Sequence, residues 1–228
     1  MVPALPGGVG ITHVKVYDTE SPDGLAGGTP HLHTVCSEAY LVISGRGEVH
    51  TLGAGGFERT PLVAGTVAWF SPGTIHRLVN HGGLEVYVVM SHAGLPEAGD
   101  LVIAFDEATL ADPTAYESAA GLPPAGERRD RAVEAFAGWR RRFETDASDA
   151  MASLHGHAGA VVSARADAWS DVVRRSTGQE LDRSLEWIDN LRSGGVGHLA
   201  GAAVAHQAEL AESRGAGCCG TLGAVITS

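Results

Sequence analysis

Apolar and polar positions alternate over residues 11–17, Ile-Thr-His-Val-Lys-Val-Tyr, which predicts a strand with His13, Lys15 and Tyr17 on one side and Val14 and Val16 on the other. Short apolar, β-branched runs follow at 39–44, 47–52, 66–70, 75–79, 84–91 and 101–105, and Gly45, Gly47, Gly53, Gly55, Gly56, Gly65, Gly73, Gly82 and Gly83 punctuate them. Closely spaced short strands with glycine turns predict an antiparallel sandwich or barrel, a shape whose interior can host one metal and one small ligand.

After Phe105 the period changes. Residues 106–126 read as loop, with Asp112-Pro113 and Leu122-Pro123-Pro124-Ala125-Gly126 marking a boundary. Beyond it, Val133, Phe136 and Phe143, with Trp139 beside them, have helical spacing, and Arg140 to Arg142 are expected to face outward. A second helix is expected through Val162, Ala166, Trp169 and Val173. A third is expected to open with a capping box at Thr177-Gly178-Gln179-Glu180 and continue through Leu181, Leu185, Ile188 and Leu191. A fourth, alanine-rich helix is expected over about 197–212, and the tail from Gly215 has no readable period. The expected organisation is a barrel over residues 1–106, a linker over 107–126 and a helical region over 127–228. The apolar faces of those helices could be covered by one another, by the outside of the barrel or by a second subunit. No internal repeat announces a second barrel.

Composition narrows the function classes. The 228 residues are 44% hydrophobic and 19% charged, ordinary for a globular chain, and the net charge is −11. Residues 1–125 hold four basic groups (Lys15, Arg46, Arg59, Arg77) against thirteen acidic ones, so −9 of that charge lies on the barrel half. Nucleic acid is excluded as a partner on this ground, because binding phosphates needs clustered Lys and Arg. Three cysteines, two of them adjacent at Cys218-Cys219, make no disulfide framework, which fits a reduced, cytoplasmic setting. The opening Met-Val-Pro-Ala-Leu-Pro-Gly-Gly has no signal-peptide character. The small-apolar run near 195–205 is too short to span a membrane.

The chemistry concentrates in Pro30-His31-Leu32-His33-Thr34-Val35-Cys36-Ser37-Glu38 and in Ser71-Pro72-Gly73-Thr74-Ile75-His76. On a strand His31 and His33 share a face and can grip one ion together. Glu38 is an odd five positions past His33, so a turn or bulge around Cys36-Ser37 is needed to bring it to the same place, and Glu38 opens a new strand. With His76 this makes three imidazoles and a carboxylate, a set suited to one divalent ion such as Fe, Mn, Ni, Zn or Co with positions left for substrate. If Glu38 faces inward, so do Tyr40 and Val42; if His76 does, Leu78 and Asn80 follow and Arg77 points away. Glu38 and Tyr40 are the candidate catalytic residues, Tyr40 as an acid or an orienting donor. Among the other histidines, His13 is the best outside candidate to enter the pocket. His155-Gly156-His157 copies the His-x-His spacing within a glycine-rich connection. Trp69 is expected in the core, Cys36 as a buried filler, and Cys218-Cys219 without a special role.

These residues also carry a family resemblance. His31, His33, Glu38 and Gly45 match the spacing of the first cupin motif; Gly65, Pro72, Gly73, His76 and Asn80 resemble the second. Ser71 stands where the family usually has proline, and Leu25 where the first motif usually begins with glycine. The resemblance covers roughly residues 10–106. It implies an all-β double-stranded β-helix, or jelly-roll barrel, followed here by an α-helical region, a metal bound by His31, His33, Glu38 and His76, and a homodimer paired through edge strands. Glu38-Ala39-Tyr40 together with His76-Arg77-Leu78-Val79-Asn80 is similar to cupin-type sugar isomerases. The first functional expectation is therefore a metal-dependent isomerase or epimerase acting on a small oxygen-rich molecule, a sugar or hydroxy-keto acid. Four basic residues in the barrel half make a poor phosphate grip, which favours an unphosphorylated substrate. An Fe(II)-dependent dioxygenase and a non-catalytic small-molecule-binding or sensor cupin are the alternatives.

Overall fold

The computed structural model describes residues 5–206 and 215–226. Its strands are β1 (Gly10–Val16), β2 (His31–His33), β3 (Glu38–Ser44), β4 (Arg46–Gly53), β5 (Gly56–Val63), β6 (Val67–Phe70), β7 (Ile75–Asn80), β8 (Glu85–Met90), β9 (Leu101–Ile103), β10 (Gly215–Ala216) and β11 (Gly220–Ile226). They form two antiparallel sheets, six-stranded in the order β10-β11-β1-β8-β3-β6 and five-stranded in the order β5-β4-β7-β2-β9. Alternation decides what each strand contributes. In β3, Glu38, Tyr40 and Val42 are buried while Leu41 and Ile43 face out; in β1, Val14 and Val16 are buried and Lys15 is exposed. With Val49 and Leu78 from the opposite sheet they make the interior.

β7 is buried at every position because both of its faces are covered. Its inner face closes the barrel, and on its outer face the Arg77 guanidinium, fully buried, is held by the Asp23 carboxylate, the Ser21 hydroxyl and the Gly28 carbonyl. Arg77 does point away from the site. Asn80 donates to the Val16 carbonyl and accepts from Gly82 and Leu84 N–H, so it fastens a turn.

Several expectations are corrected. β5 was not expected, because Glu58, Arg59 and Pro61 disguise it; it is an edge strand, where a proline without a ladder N–H is tolerated. Trp69 is 76% exposed, since alternation in β6 turns its neighbours Ala68 and Phe70 inward. The stretch expected to be a loop linker carries α1 (Glu107–Ala111) and α2 (Pro113–Ala120). The Asp106 carboxylate accepts from Thr109 N at 3.0 Å and that of Asp112 from Thr114 N at 2.9 Å. Asp112-Pro113 is thus an N-cap followed by proline in the first turn, a helix start rather than a boundary.

The long helices α3 (Glu127–Thr145) and α4 (Ala147–Val162) pack on the outside of the barrel, so the structure resolves where their apolar faces go. Phe136 stacks edge-on against Phe57 at 6.1 Å, and Trp139 Nε1 donates to the Phe105 carbonyl at 2.8 Å. Arg129 donates to the carbonyls of Thr19 and Glu20. Arg140 is not turned to solvent as expected but lies 3.7 Å over the Phe57 ring, a cation–π contact. α5 (Ala166–Val173) runs through a wide turn at Arg174–Gly178 into α6 (Gln179–Arg192). The expected capping box does not form, because the Thr177 hydroxyl instead donates to the Ser91 carbonyl. Leu181, Leu185, Ile188 and Leu191 of α6 are exposed. The alanine-rich stretch forms one tight turn at Gly197–Gly201 and is irregular to residue 206; its residues 207–212 lie outside the described ones.

The tail within the region expected to be helical returns to the barrel as β11 and pairs with β1, with Val14 opposite Leu222 and Val16 opposite Gly220. Among the described residues, no helix is long and apolar enough to cross a membrane.

Candidate metal centre

β2 and β7 run antiparallel with His31 directly opposite His76, and His33 lies one pleat further along β2. Glu38 comes from the other sheet, at the start of β3. What carries it across is a tight turn over residues 34–37. The N–H groups of Thr34, Val35 and Cys36 all donate to the carboxylate of Asp100, at 3.0, 2.7 and 3.0 Å, and reverse the chain around it. The expected turn before Glu38 is thus built on an anion that sequence reasoning missed. No spacing rule marks Asp100, which lies 67 positions from His33 and reads simply as an acid before a strand.

The three imidazoles are oriented alike. His31 Nδ1 donates to the Thr29 carbonyl at 2.8 Å, His76 Nδ1 to the Thr74 carbonyl at 3.1 Å and His33 Nδ1 to Asp100 Oδ2 at 3.1 Å. Each partner can only accept, so the proton of each neutral ring sits on Nδ1 and a bare lone pair is left on Nε2. Those Nε2 atoms converge. His31 Nε2 and His76 Nε2 are 3.0 Å apart, and Glu38 Oε2 lies 3.1 Å from His76 Nε2 and 3.4 Å from His33 Nε2. One ligand atom from each of the four residues falls within 4.8 Å of every other.

All four are buried, from 1% exposed at His76 to 5% at His33 and Glu38. Burial alone would raise the Glu38 carboxyl, but His76 and then His33 outweigh it and hold it at about 2. Burial, reinforced by His76 and His33, drives the His31 imidazole well below its usual range, so it stays neutral. Asp100 is also held below the usual carboxylate range: burial opposes this, and the bonds from His33, Thr34 and Cys36 prevail. Glu38 Oε2 lacks a well-aligned hydrogen-bond donor among the described residues. Two facing lone pairs at 3.0 Å beside an anion repel unless a cation lies among them. The donor set therefore fits a divalent ion, and the hydrogen bonds behind the rings supply the orienting shell that such sites need.

Tyr40 sits on the inner face of β3, fully buried, its ring 6.3 Å from that of His76. Burial and then the Glu38 charge push its hydroxyl well above the usual phenol range. The remaining histidines do not join the cluster. His13, expected to enter the pocket, is on the outer face of β1, where it meets Glu85 at 2.8 Å. His50 meets Glu48 at 2.8 Å, and His92 Nδ1 lies 2.9 Å from the Thr177 hydroxyl. His155 and His157 lie within α4, where residues two apart diverge, so they cannot chelate together. His155 Nε2 donates to the Gly73 carbonyl instead, and His157 faces Glu107 at 3.6 Å. Cys36 is a packed filler whose thiol burial, aided by Asp100, pushes up to about 12.

A double-layered antiparallel barrel around an interior cluster of three histidines and a glutamate that could hold a metal ion defines a small β-sandwich. Residues 19–92 match the family described as the cupin domain, and the chain carries a cupin domain. Among solved structures it resembles a protein with a double-stranded β-helix domain from Klebsiella pneumoniae, at 26% identity over 36% of this chain and 62% of that one, with a TM-score of 0.26. It also resembles a protein described as a predicted oxalate decarboxylase from Thermotoga maritima, at 24% identity over 35% and 63% of the two chains, with a TM-score of 0.28. A third is KdgF from a Halomonas species, at 23% identity over 40% and 75%, with a TM-score of 0.30. The chain thus spans less than two thirds of the first two. No curated protein matches it.

Proposed function

We propose that this chain is a metal-dependent cupin enzyme of the isomerase or epimerase type, acting on a small, unphosphorylated, oxygen-rich substrate such as a sugar or hydroxy-keto acid. The observation that carries the reading is the common orientation of His31, His33 and His76, each with Nδ1 committed to an oxygen and Nε2 turned toward Glu38. The ion, one of Fe, Mn, Ni, Zn or Co, supplies Lewis acidity toward two substrate oxygens when bound. The protein holds its ligands rigid and dry, and the Tyr40 hydroxyl beside Glu38 is placed to carry a proton to or from a substrate oxygen. The test is anaerobic incubation of metal-loaded protein with aldoses, ketoses and hydroxy-keto acids, following interconversion and solvent-deuterium uptake. Turnover without oxygen that fails in Tyr40→Phe is expected. Turnover only with oxygen consumption would replace this reading with a dioxygenase, and binding without turnover with a sensor.

The same reading includes a homodimer. Among the described residues β6 pairs on one side only, and beside it Leu41, Ile43, Val67 and Trp69 make an exposed apolar outer face. An identical edge can add to itself antiparallel about a two-fold axis, covering that face. Light scattering is expected to give twice the chain mass for the wild type and the monomer mass for Trp69→Glu; a monomeric wild type would end the dimer reading.

A further inference from the structure

Helix α4, which lies beyond the residues that match the cupin family, reaches back to the turn that delivers His76. That turn is Ser71-Pro72-Gly73-Thr74, closed by Thr74 N–H to the Ser71 carbonyl at 3.4 Å, with proline second and Gly73 third at a φ of +84°. A positive φ at the third position is open to glycine and strained for most side chains. The turn is gripped from two sides. On one, the Gly73 N–H donates to the His33 carbonyl at 2.8 Å; on the other, the Gly73 carbonyl accepts from His155 Nε2 at 2.9 Å. The next carbonyl, that of Thr74, accepts from His76 Nδ1 at 3.1 Å. One glycine thus ties together the backbone of one candidate ligand, the segment orienting another and a histidine 82 positions away.

The mount behind His155 is firm. Leu154 and Ala158 of α4 are buried, and the helix packs against β9, whose Leu101 lies opposite His33. The His155 ring itself is exposed, so it fills no part of the core, and among the described residues its one side-chain hydrogen bond goes to Gly73. The approach is close, since a Cβ on Gly73 would lie 2.9 Å from His155 Nε2. We propose that His155 is a positioning residue for the metal centre: by holding the Gly73–Thr74 peptide unit it fixes how the Thr74 carbonyl meets His76, and so where the His76 Nε2 lone pair points. The helical region is then part of the ion site rather than a separate appendage. The inference rests on the metal reading above and adds to it a residue outside the ligand set. Loss of the bond weakens ion binding before it weakens the fold, because Gly73 is only half-buried and its carbonyl can turn to water.

The test uses the full-length protein and Co(II), with the dissociation constant read by competition against a chromophoric chelator and the melting temperature read without metal. His155→Ala is expected to bind Co(II) about three- to tenfold more weakly than wild type. His155→Gln, whose amide nitrogen can take the place of Nε2, is expected to recover to within about twofold. His157→Ala, altered on the same helix but facing Glu107, is expected to match wild type. Without metal, His155→Ala is expected to melt within about 2 °C of wild type. Wild-type affinity in His155→Ala overturns the positioning role and leaves the metal reading standing. An equal loss in His157→Ala, or no recovery in His155→Gln, also overturns it, since the packing of α4 and not this bond would then be at stake. A metal-free melting temperature lowered beyond that margin would make His155 a structural residue and overturn the role as well. Absence of Co(II) uptake by the wild type overturns both the role and the metal reading.

Discussion

Replacing His33 and His76 together by glutamine is expected to abolish metal binding while leaving the fold intact. Glutamine approximates the size of an imidazole and its amide can still donate to Asp100 and to the Thr74 carbonyl, so the orienting bonds have a substitute. What is lost is the pair of Nε2 lone pairs. Elemental analysis of wild-type protein, prepared without a metal-affinity tag, is expected to find about one equivalent of a transition ion per chain, and the variant close to none. The signature lies in the melting curves. Without metal the two proteins are expected to melt at similar temperatures, because the wild type carries the repulsion of two Nε2 atoms 3.0 Å apart and the variant does not. With metal at about a thousandfold over Kd only the wild type gains, by about 4 kcal/mol. Equal shifts in both proteins, or none in the wild type after reloading, would defeat the metal assignment.

Asp100→Asn is expected to damage stability and the site at once. The carboxylate is fully buried and accepts from three backbone N–H groups, the Thr34 hydroxyl and His33 Nδ1. An amide turns one donor into this ring of donors, so at least one is left unpaired; the expected loss is about 2–4 kcal/mol. If the amide nitrogen faces His33, the ring proton moves to Nε2 and the ligand is lost. A 10- to 100-fold drop in metal affinity is expected for such an orienting partner. The variant also changes the acid limb of unfolding. Asp100 and Glu38 are depressed in the folded protein, so their contribution is complete above the unfolded carboxyl values of about 4 and drains away as pH falls through the folded ones, about 2 for Glu38. Urea melts of metal-free protein between pH 2 and 6 should show a shallower loss in Asp100→Asn than in wild type. Parallel curves would mean that Asp100 is a spectator.

Much of the site was legible because its signals are local. His31 and His33 share a face by strand periodicity alone, and the odd offset to Glu38 demanded the turn that residues 34–37 make. Arg77 was turned away from the site by the same alternation, although its burial under the Asp23 loop was not foreseen. The errors came from signals with two meanings. Asp112-Pro113 signals a boundary within a loop and is a capped helix start; Thr177 signals a helix cap and is tied to Ser91. Trp69 was placed in the core on hydrophobicity, which strand alternation overrides.

The sequence by itself determined the strand-rich first half, the helical periods that follow it, and the identity and shared face of the His-x-His pair. These depend on periods of two and 3.6 residues and on spacings within a few positions, which any chain of this order must express. Only the tertiary structure decided which histidines are excluded, that Asp100 organises the Glu38 turn, and that β11 returns to pair with β1. Those facts join residues 64 to more than 200 positions apart, through β-sheet register and buried hydrogen bonds. No local period records such pairings, because they exist only once the two sheets have closed around their shared interior.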